Sequence, residues 1–217
     1  MVHKPSRVLL DVDTGIDDAL ALLYAATETR LDLVGVTAVV GNVPVDVAAR
    51  NSAAVLAVAR ASQVPVVVGA ARTVGGSGHR SGETNHGSGG LGGVVLPAPA
   101  TGAVRDEDPS ELVGLLSRAA PLAVAACAPL TNVARYVSQP GVDHVVMVGG
   151  ELAAASEPEF NVAHDAASAA TVLSAGTPLT VYTADVFETI AVPPLLVTKL
   201  RGSRDPAARL AGELLAV

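Results

Sequence analysis

The 217-residue sequence predicts an α/β fold: an open, mainly parallel sheet with helices on both faces. Three observations carry the prediction. Short Val- and Leu-rich runs alternate with longer apolar-periodic segments, in the order strand, helix, strand, helix, strand. Half of the residues are apolar and only 2% are aromatic, which suits a closely packed core dominated by Ala and Val. No repeat and no linker-like stretch interrupts the pattern, so residues 1–217 read as a single domain with a sizeable core.

The elements follow in order. Arg7–Leu10 is a short buried strand, and Asp17 or Asp18 is expected to cap a helix running to about Glu28. Leu31–Val40 is a second strand, Asp46–Arg60 a second helix and Val64–Val68 a third strand. Parallel pairing of these runs requires right-handed crossovers. Gly69–Pro99 breaks the rhythm with a Gly-rich segment holding His79, Glu83, Asn85 and His86; a loop of that length in a compact domain is functional or disordered. Alternation resumes with a helix over Pro109–Arg118, a strand over Leu122–Ala126 and a helix over Leu130–Ser138. His144–Val148 is the fifth strand, followed by a loop carrying Glu157, Glu159 and Asn161. Asp165 caps a helix to about Ala175, and Leu179–Thr183 is the sixth strand. Pro193–Val217 offers one or two helices, with Asp205-Pro206 a natural start for the last.

Composition narrows the function. A net charge of −7 and few aromatics argue against a phosphate-backbone or base-stacking partner. The single Cys127 excludes an internal disulfide. Met1–Lys4 leads straight into a strand with no signal-peptide pattern, and no run of 18 apolar residues predicts a membrane span. A cytoplasmic location is therefore expected, with neither nucleic acid nor membrane as partner.

The chemistry concentrates at one turn. Asp11, Asp13, Asp17 and Asp18 put four carboxylates within eight residues, between the first strand and the first helix. Two like charges 4 Å apart repel by about 4 kcal/mol near a protein surface. The cluster needs a cation, a raised pKa, or splaying into water, although Asp17 or Asp18 singly would also suit a helix N-terminus. Carboxylates without a Cys/His set suit a hard cation, Ca²⁺ or Mg²⁺. Asn42, His86, Cys127, Glu159 and Asn161 each follow a later strand, so all would gather at the carboxyl edge where open α/β sheets bind ligands. Carboxylates and amides together suit a polyhydroxylated ligand. The Asp11-Val12-Asp13-Thr14 run also echoes a haloacid-dehalogenase phosphatase loop, but Lys4 and Lys199 are the only lysines and no acidic pair follows Lys199.

Asp11-Val12-Asp13-Thr14-Gly15-Ile16-Asp17-Asp18-Ala19 resembles the N-terminal signature of the inosine–uridine nucleoside hydrolases. The likeness continues through Gly41-Asn42-Val43, Val64–Ala70, His86-Gly87, Pro129-Leu130-Thr131-Asn132, Gly149-Gly150, Glu159-Phe160-Asn161 and Asp185-Val186. It implies an open Rossmann-like sheet and hydrolysis of a ribonucleoside N-glycosidic bond with bound Ca²⁺. By the resemblance, Asp13 would be the catalytic base and a metal ligand, Asp18 a second ligand and the Cys127 carbonyl a third. Asp17, Asn42, Glu159 and Asn161 would hold the ribose, and His86 would lie near the leaving base. The family's usual His-Asp-Pro segment is expected beyond Val217, a ribose-binding Asn is missing from Glu151–Pro158, and Gly89 replaces a usual Asp. The alternative is a non-catalytic relative that binds a ligand or partner. An exposed sheet edge would favour self-association.

Overall fold

The computed structural model describes residues 4–80, 86–153 and 157–217. Glu83 and Asn85 of the Gly-rich segment lie outside those residues. The first half runs β1 (Ser6–Val12), α1 (Ile16–Thr27), β2 (Leu31–Ala38), α2 (Val45–Val58), β3 (Val66–Val68), β4 (Val104–Arg105) and α3 (Pro109–Ala119). The second half runs β5 (Leu122–Ala126), α4 (Val133–Tyr136), β6 (Val142–Val148), α5 (Phe160–His164), α6 (Ala166–Ser174), β7 (Leu179–Tyr182), α7 (Ala184–Phe187), α8 (Pro194–Arg201) and α9 (Pro206–Leu214).

All seven strands form one sheet in the order β4-β3-β2-β1-β5-β6-β7, and every adjacent pair is parallel. Strand periodicity divides β1 between two cores. Val8, Leu10 and Val12 pack under α1, α2 and α9. Leu9 faces the opposite core with Leu112, Val124, Tyr136 and Met147. Helices therefore cover both faces, as the sequence predicts. The chain builds outward from β1 to β4, then crosses back and builds outward through β5 to β7. The order reverses between β1 and β5, and the crevice outside their carboxyl ends is where such sheets bind ligands.

Three expectations change. The N-cap of α1 is Gly15; Asp18 sits at the third helical position and accepts from Gly15 N at 2.9 Å. Asp17 and Asp18 fall two and three residues past the N-cap position, and Asp18 serves instead as the acceptor that reaches back to the N-cap N–H. Among the described residues the strand count is seven rather than six: the two-residue β4 pairs only with the short β3, and two residues cannot display a period. The loop after β6 contains α5, capped by Glu159, and the helix expected over Leu130–Ser138 shortens to α4. Asp165 caps α6 and Asp205 caps α9, as expected. Gly69–Pro99 carries no regular element among its described residues.

Candidate active site

The β1–α1 turn is built around carboxylates that water hardly reaches. Asp11, Asp13 and Asp18 are 0%, 1% and 1% exposed, whereas Asp17 points outward. Asp11 faces the second core, where one oxygen accepts from Thr37 Oγ1 and, at 2.9 Å, from Asn132 Nδ2. Asn132 also donates to Ala38 O and accepts from Ala70 N, both at 2.9 Å, tying the ends of β1, β2 and β3 together. Asp13 accepts from Asn42 N at 2.5 Å and from Asn42 Nδ2 at 3.3 Å.

Electrostatics mark the same residues. Burial drives Asp11 up to about 7 against the pull of its Thr37 and Asn132 hydrogen bonds. Burial raises Asp13 to about 6, opposed by a hydrogen bond shared with Asp18 and by the Asn42 N–H. Asp18 rises well above 3.8 through burial, then through the charges of Asp13 and Asp17. Both shifts disfavour Asp13 and Asp18 carrying full negative charge together. Asp18 Oδ1 and Asp11 Oδ2 are buried with no hydrogen-bond partner among the described residues. A buried, unpartnered carboxylate oxygen costs stability unless a proton or cation meets it.

Above this floor lies a cavity of about 380 Å³, within the range of small-molecule sites. Asp17, Asn42, Arg80 and His86 line the β1 end; Cys127 and Asn161 lie at its centre; Val148, Tyr182 and Phe187 line the β7 end, with Glu159 and Phe160 between. Six of the sequence-predicted residues therefore share one cavity; Asp13 and Asp18 do not line it, and Asp13 is joined to it through Asn42. His86 Nδ1 accepts from Ile16 N at 3.0 Å, so the proton of the neutral ring sits on Nε2. Cys127 N donates to Asp11 O at 2.9 Å, fixing the β5 end against β1. Burial pushes the Cys127 thiol well up, and the nearby aspartates push it further, which argues against a thiolate.

Two predicted residues are more engaged than their type suggested. Glu159 accepts from Gly150 N at 2.8 Å, Asn161 N at 2.8 Å and Val162 N at 3.0 Å. Asn161 Nδ2 donates to Cys127 O at 3.2 Å and Val148 O at 3.1 Å. Sequence reasoning missed Arg80, whose guanidinium lies 4.9 Å from the Phe160 ring centroid, and missed Tyr182 and Phe187. The available signal was composition: both Phe residues and one of three Tyr residues line this cavity in a chain without Trp.

Among the described residues, no three His, Cys, Asp or Glu side chains converge as a ready metal cage. A hard-cation site here would combine the Asp13 and Asp18 carboxylates with a main-chain oxygen, and the orphaned Asp18 Oδ1 fits that use.

Buried carboxylates under a polar and aromatic crevice at the switch point define a small-molecule site of the doubly wound α/β class. The chain belongs to the inosine-uridine preferring nucleoside hydrolase family, whose model matches residues 8–217. A pyrimidine-specific ribonucleoside hydrolase of Photobacterium profundum is 29% identical over 96% of this chain and 70% of its own. A probable uridine nucleosidase of Oryza sativa subsp. japonica is 28% identical over 96% of this chain and 67% of its own. In fold, a purine-preferring ribonucleoside hydrolase from Gardnerella vaginalis superposes with a TM-score of 0.85 at 22% identity, covering 97% of this chain and 72% of that one. A plant nucleoside hydrolase gives 0.83 at 23% identity, covering 97% and 70%. Among the described residues no helix is long and apolar enough to cross a membrane.

Proposed function

We propose that the chain hydrolyses the N-glycosidic bond of free ribonucleosides, releasing base and ribose, with Asp13 as the general base. The observation that carries this reading is the Asp13–Asp18 pair: buried, raised in pKa and joined through Asn42 to a nucleoside-sized cavity. A base with a pKa of about 6 is ionised at neutral pH and close enough to 7 to hold a proton taken from water. Asn42, which lines the cavity, fixes the carboxylate by two hydrogen bonds. The C1′–N bond breaks with its electron pair going to the base, water oxygen bonds to C1′, and a proton ends on the base. Asp13, Asp17 and Asp18 supply negative charge beside the positive sugar that develops. His86 offers Nε2–H to the leaving base, because Nδ1 is held by Ile16 N. Asp17, Asn42, Glu159 and Asn161 would hold ribose hydroxyls; for Glu159 the three backbone donors leave about one acceptor site free.

Ca²⁺ is the cofactor this donor set favours, held by Asp13, Asp18 and the Cys127 carbonyl, and when bound it lowers the pKa of an attacking water. Cytoplasmic nucleosides would be the substrates. The test is base release from a panel of purine and pyrimidine ribonucleosides, with Ca²⁺ and with chelator. Asp13→Ala is expected to lower release about a thousandfold. Unchanged turnover in that variant would remove Asp13 from the mechanism, and no release by the wild-type chain would favour the ligand-binding alternative.

A further inference from the structure

The β7 end of the cavity is apolar in a way that ribose does not explain. Tyr182 and Phe187 pack with ring centroids 5.9 Å apart and a 54° tilt, and Val148 lies beside them. The polar groups nearest this wall have little capacity left: Glu159 accepts from three backbone N–H groups, Asn161 Nδ2 donates to Cys127 O and Val148 O, and beyond the remaining Glu159 acceptor site and Asn161 Oδ1 the wall itself adds only the Tyr182 hydroxyl. A hydroxyl pressed against this wall would lose water and gain few partners, which is unfavourable.

The sheet fixes the separation between the two ends of the cavity, and the proposed substrate contacts then set which part of a nucleoside meets this wall. His86 rests on the N-terminus of α1, at the β1 end. Tyr182 ends β7, three strands away across β5 and β6, a separation of about 14 Å at roughly 4.8 Å per strand. In a ribonucleoside the base on C1′ and the C5′ group on C4′ leave the sugar from opposite sides of the ring oxygen. With the hydroxyl face over Asp13 and Asp17 and the base toward His86, C5′ is directed at Val148, Tyr182 and Phe187. This inference rests on the ribonucleoside hydrolase reading above.

We propose that this wall is a subsite for an apolar 5′ substituent, and that the preferred substrates are 5′-deoxy and 5′-alkylthio ribonucleosides. The reaction balances as for any ribonucleoside: water oxygen bonds to C1′, the C1′–N pair leaves with the base, and the proton ends on the base. The 5′ group takes no part and leaves on the sugar, as 5-methylthioribose from a 5′-methylthio nucleoside.

The experiment compares kcat/KM for 5′-deoxy-5′-methylthioadenosine against adenosine, and for 5′-deoxyuridine against uridine, using the full chain with Ca²⁺. Calorimetric binding of the same four compounds to Asp13→Ala runs in parallel. The 5′-methylthio compound is expected to be favoured by about tenfold or more, the effect of burying two methylene-sized groups. Phe187→Ser is expected to bring that ratio to within about twofold of unity, with Tyr182→Ser as the second variant if the first does not fold. Equal or better use of adenosine and uridine overturns the subsite while leaving the hydrolase reading intact. Selective binding of the 5′-methylthio compound without release of base upholds the subsite and overturns the hydrolase reading. Neither binding nor release of any of the four overturns both.

Discussion

A methyl group on Gly41 would overlap Asp13 Oδ2 and lie 2.6 Å from its Cγ. The backbone at Gly41–Asn42 is therefore packed directly onto the carboxylate that it orients, and no side chain can be added without moving one of them. Gly41→Ala is expected to displace Asp13 and lower kcat by about a hundredfold, as misplacement of about 1 Å can do. Steady-state kinetics with circular dichroism would check it, and near-normal kcat in a folded variant would show that Asp13 tolerates the shift. Gly69 has the same character on the other side, where a Cβ would run into the Asn132 amide. These close approaches explain why single residues carried so little information in the sequence. Gly41 appeared there only within the Gly41-Asn42-Val43 landmark, and Gly69 only within the Val64–Ala70 landmark and as the start of the Gly-rich segment. Asp11 read only as one of four clustered carboxylates, and its partners Thr37 and Asn132 come from 26 and 121 residues away.

At the scale of elements, the long segment after β3 is anchored at a few points. Asp165 caps α6 through Ser168 N at 3.2 Å and also accepts from Thr131 Oγ1 at 2.6 Å, Ser168 Oγ at 2.8 Å and Val74 N at 3.1 Å. Burial pulls its pKa up, but these hydrogen bonds together outweigh burial and hold it below 3.8. The sequence identified this residue only as a helix cap. Asp165→Ala leaves several donors unmatched and is expected to destabilise the fold by about 2–3 kcal/mol. Urea unfolding measures this, and a loss under about 1 kcal/mol would mean that water replaces the carboxylate. The strand-to-helix alternation was legible because its strong elements bury most of an apolar run, as Val8–Leu10 and Leu122–Ala126 do. The short pieces β4, α4, α5 and α7 were illegible or misplaced for a physical reason. Two to five residues cannot display a period, and tertiary hydrogen bonds such as the Glu159 cap decide them. The site was legible by position along the sheet, since every predicted residue follows a strand. The Tyr182–Phe187 wall was not, because it forms only when β7 is laid beside β6.

Across the whole molecule, folding forces carboxylates together that the unfolded chain would keep apart, and the resulting pH dependence has a definite sign. Asp11 moves from 3.8 to about 7 and Asp13 from 3.8 to about 6, both mainly through burial, and Asp18 is raised as well. The folded chain therefore holds protons that the unfolded chain has released between about pH 4 and 7, so this cluster's contribution falls as pH rises through that window. Asp165 and Asp108 act oppositely: their lowered values favour the fold above their ordinary range and lose that contribution in acid. Chelator-treated protein should accordingly be more stable near pH 5 than near pH 8. The expected difference in Tm is about 5 °C or more, since each pKa unit corresponds to about 1.4 kcal/mol and each kcal/mol to about 2–4 °C in a chain of this size. A cation held by Asp13 and Asp18 offsets the charge that otherwise favours their protonation, so added Ca²⁺ should raise Tm strongly at pH 8 and weakly at pH 5. Differential scanning fluorimetry over that range, with Ca²⁺, Mg²⁺ and chelator, measures both effects. If Tm at pH 8 is indifferent to every divalent cation, the Asp13–Asp18 pair is a proton-sharing dyad rather than a metal site. If Tm instead rises from pH 5 to pH 8 in chelator, the buried carboxylates are ionised together at less cost than their burial implies.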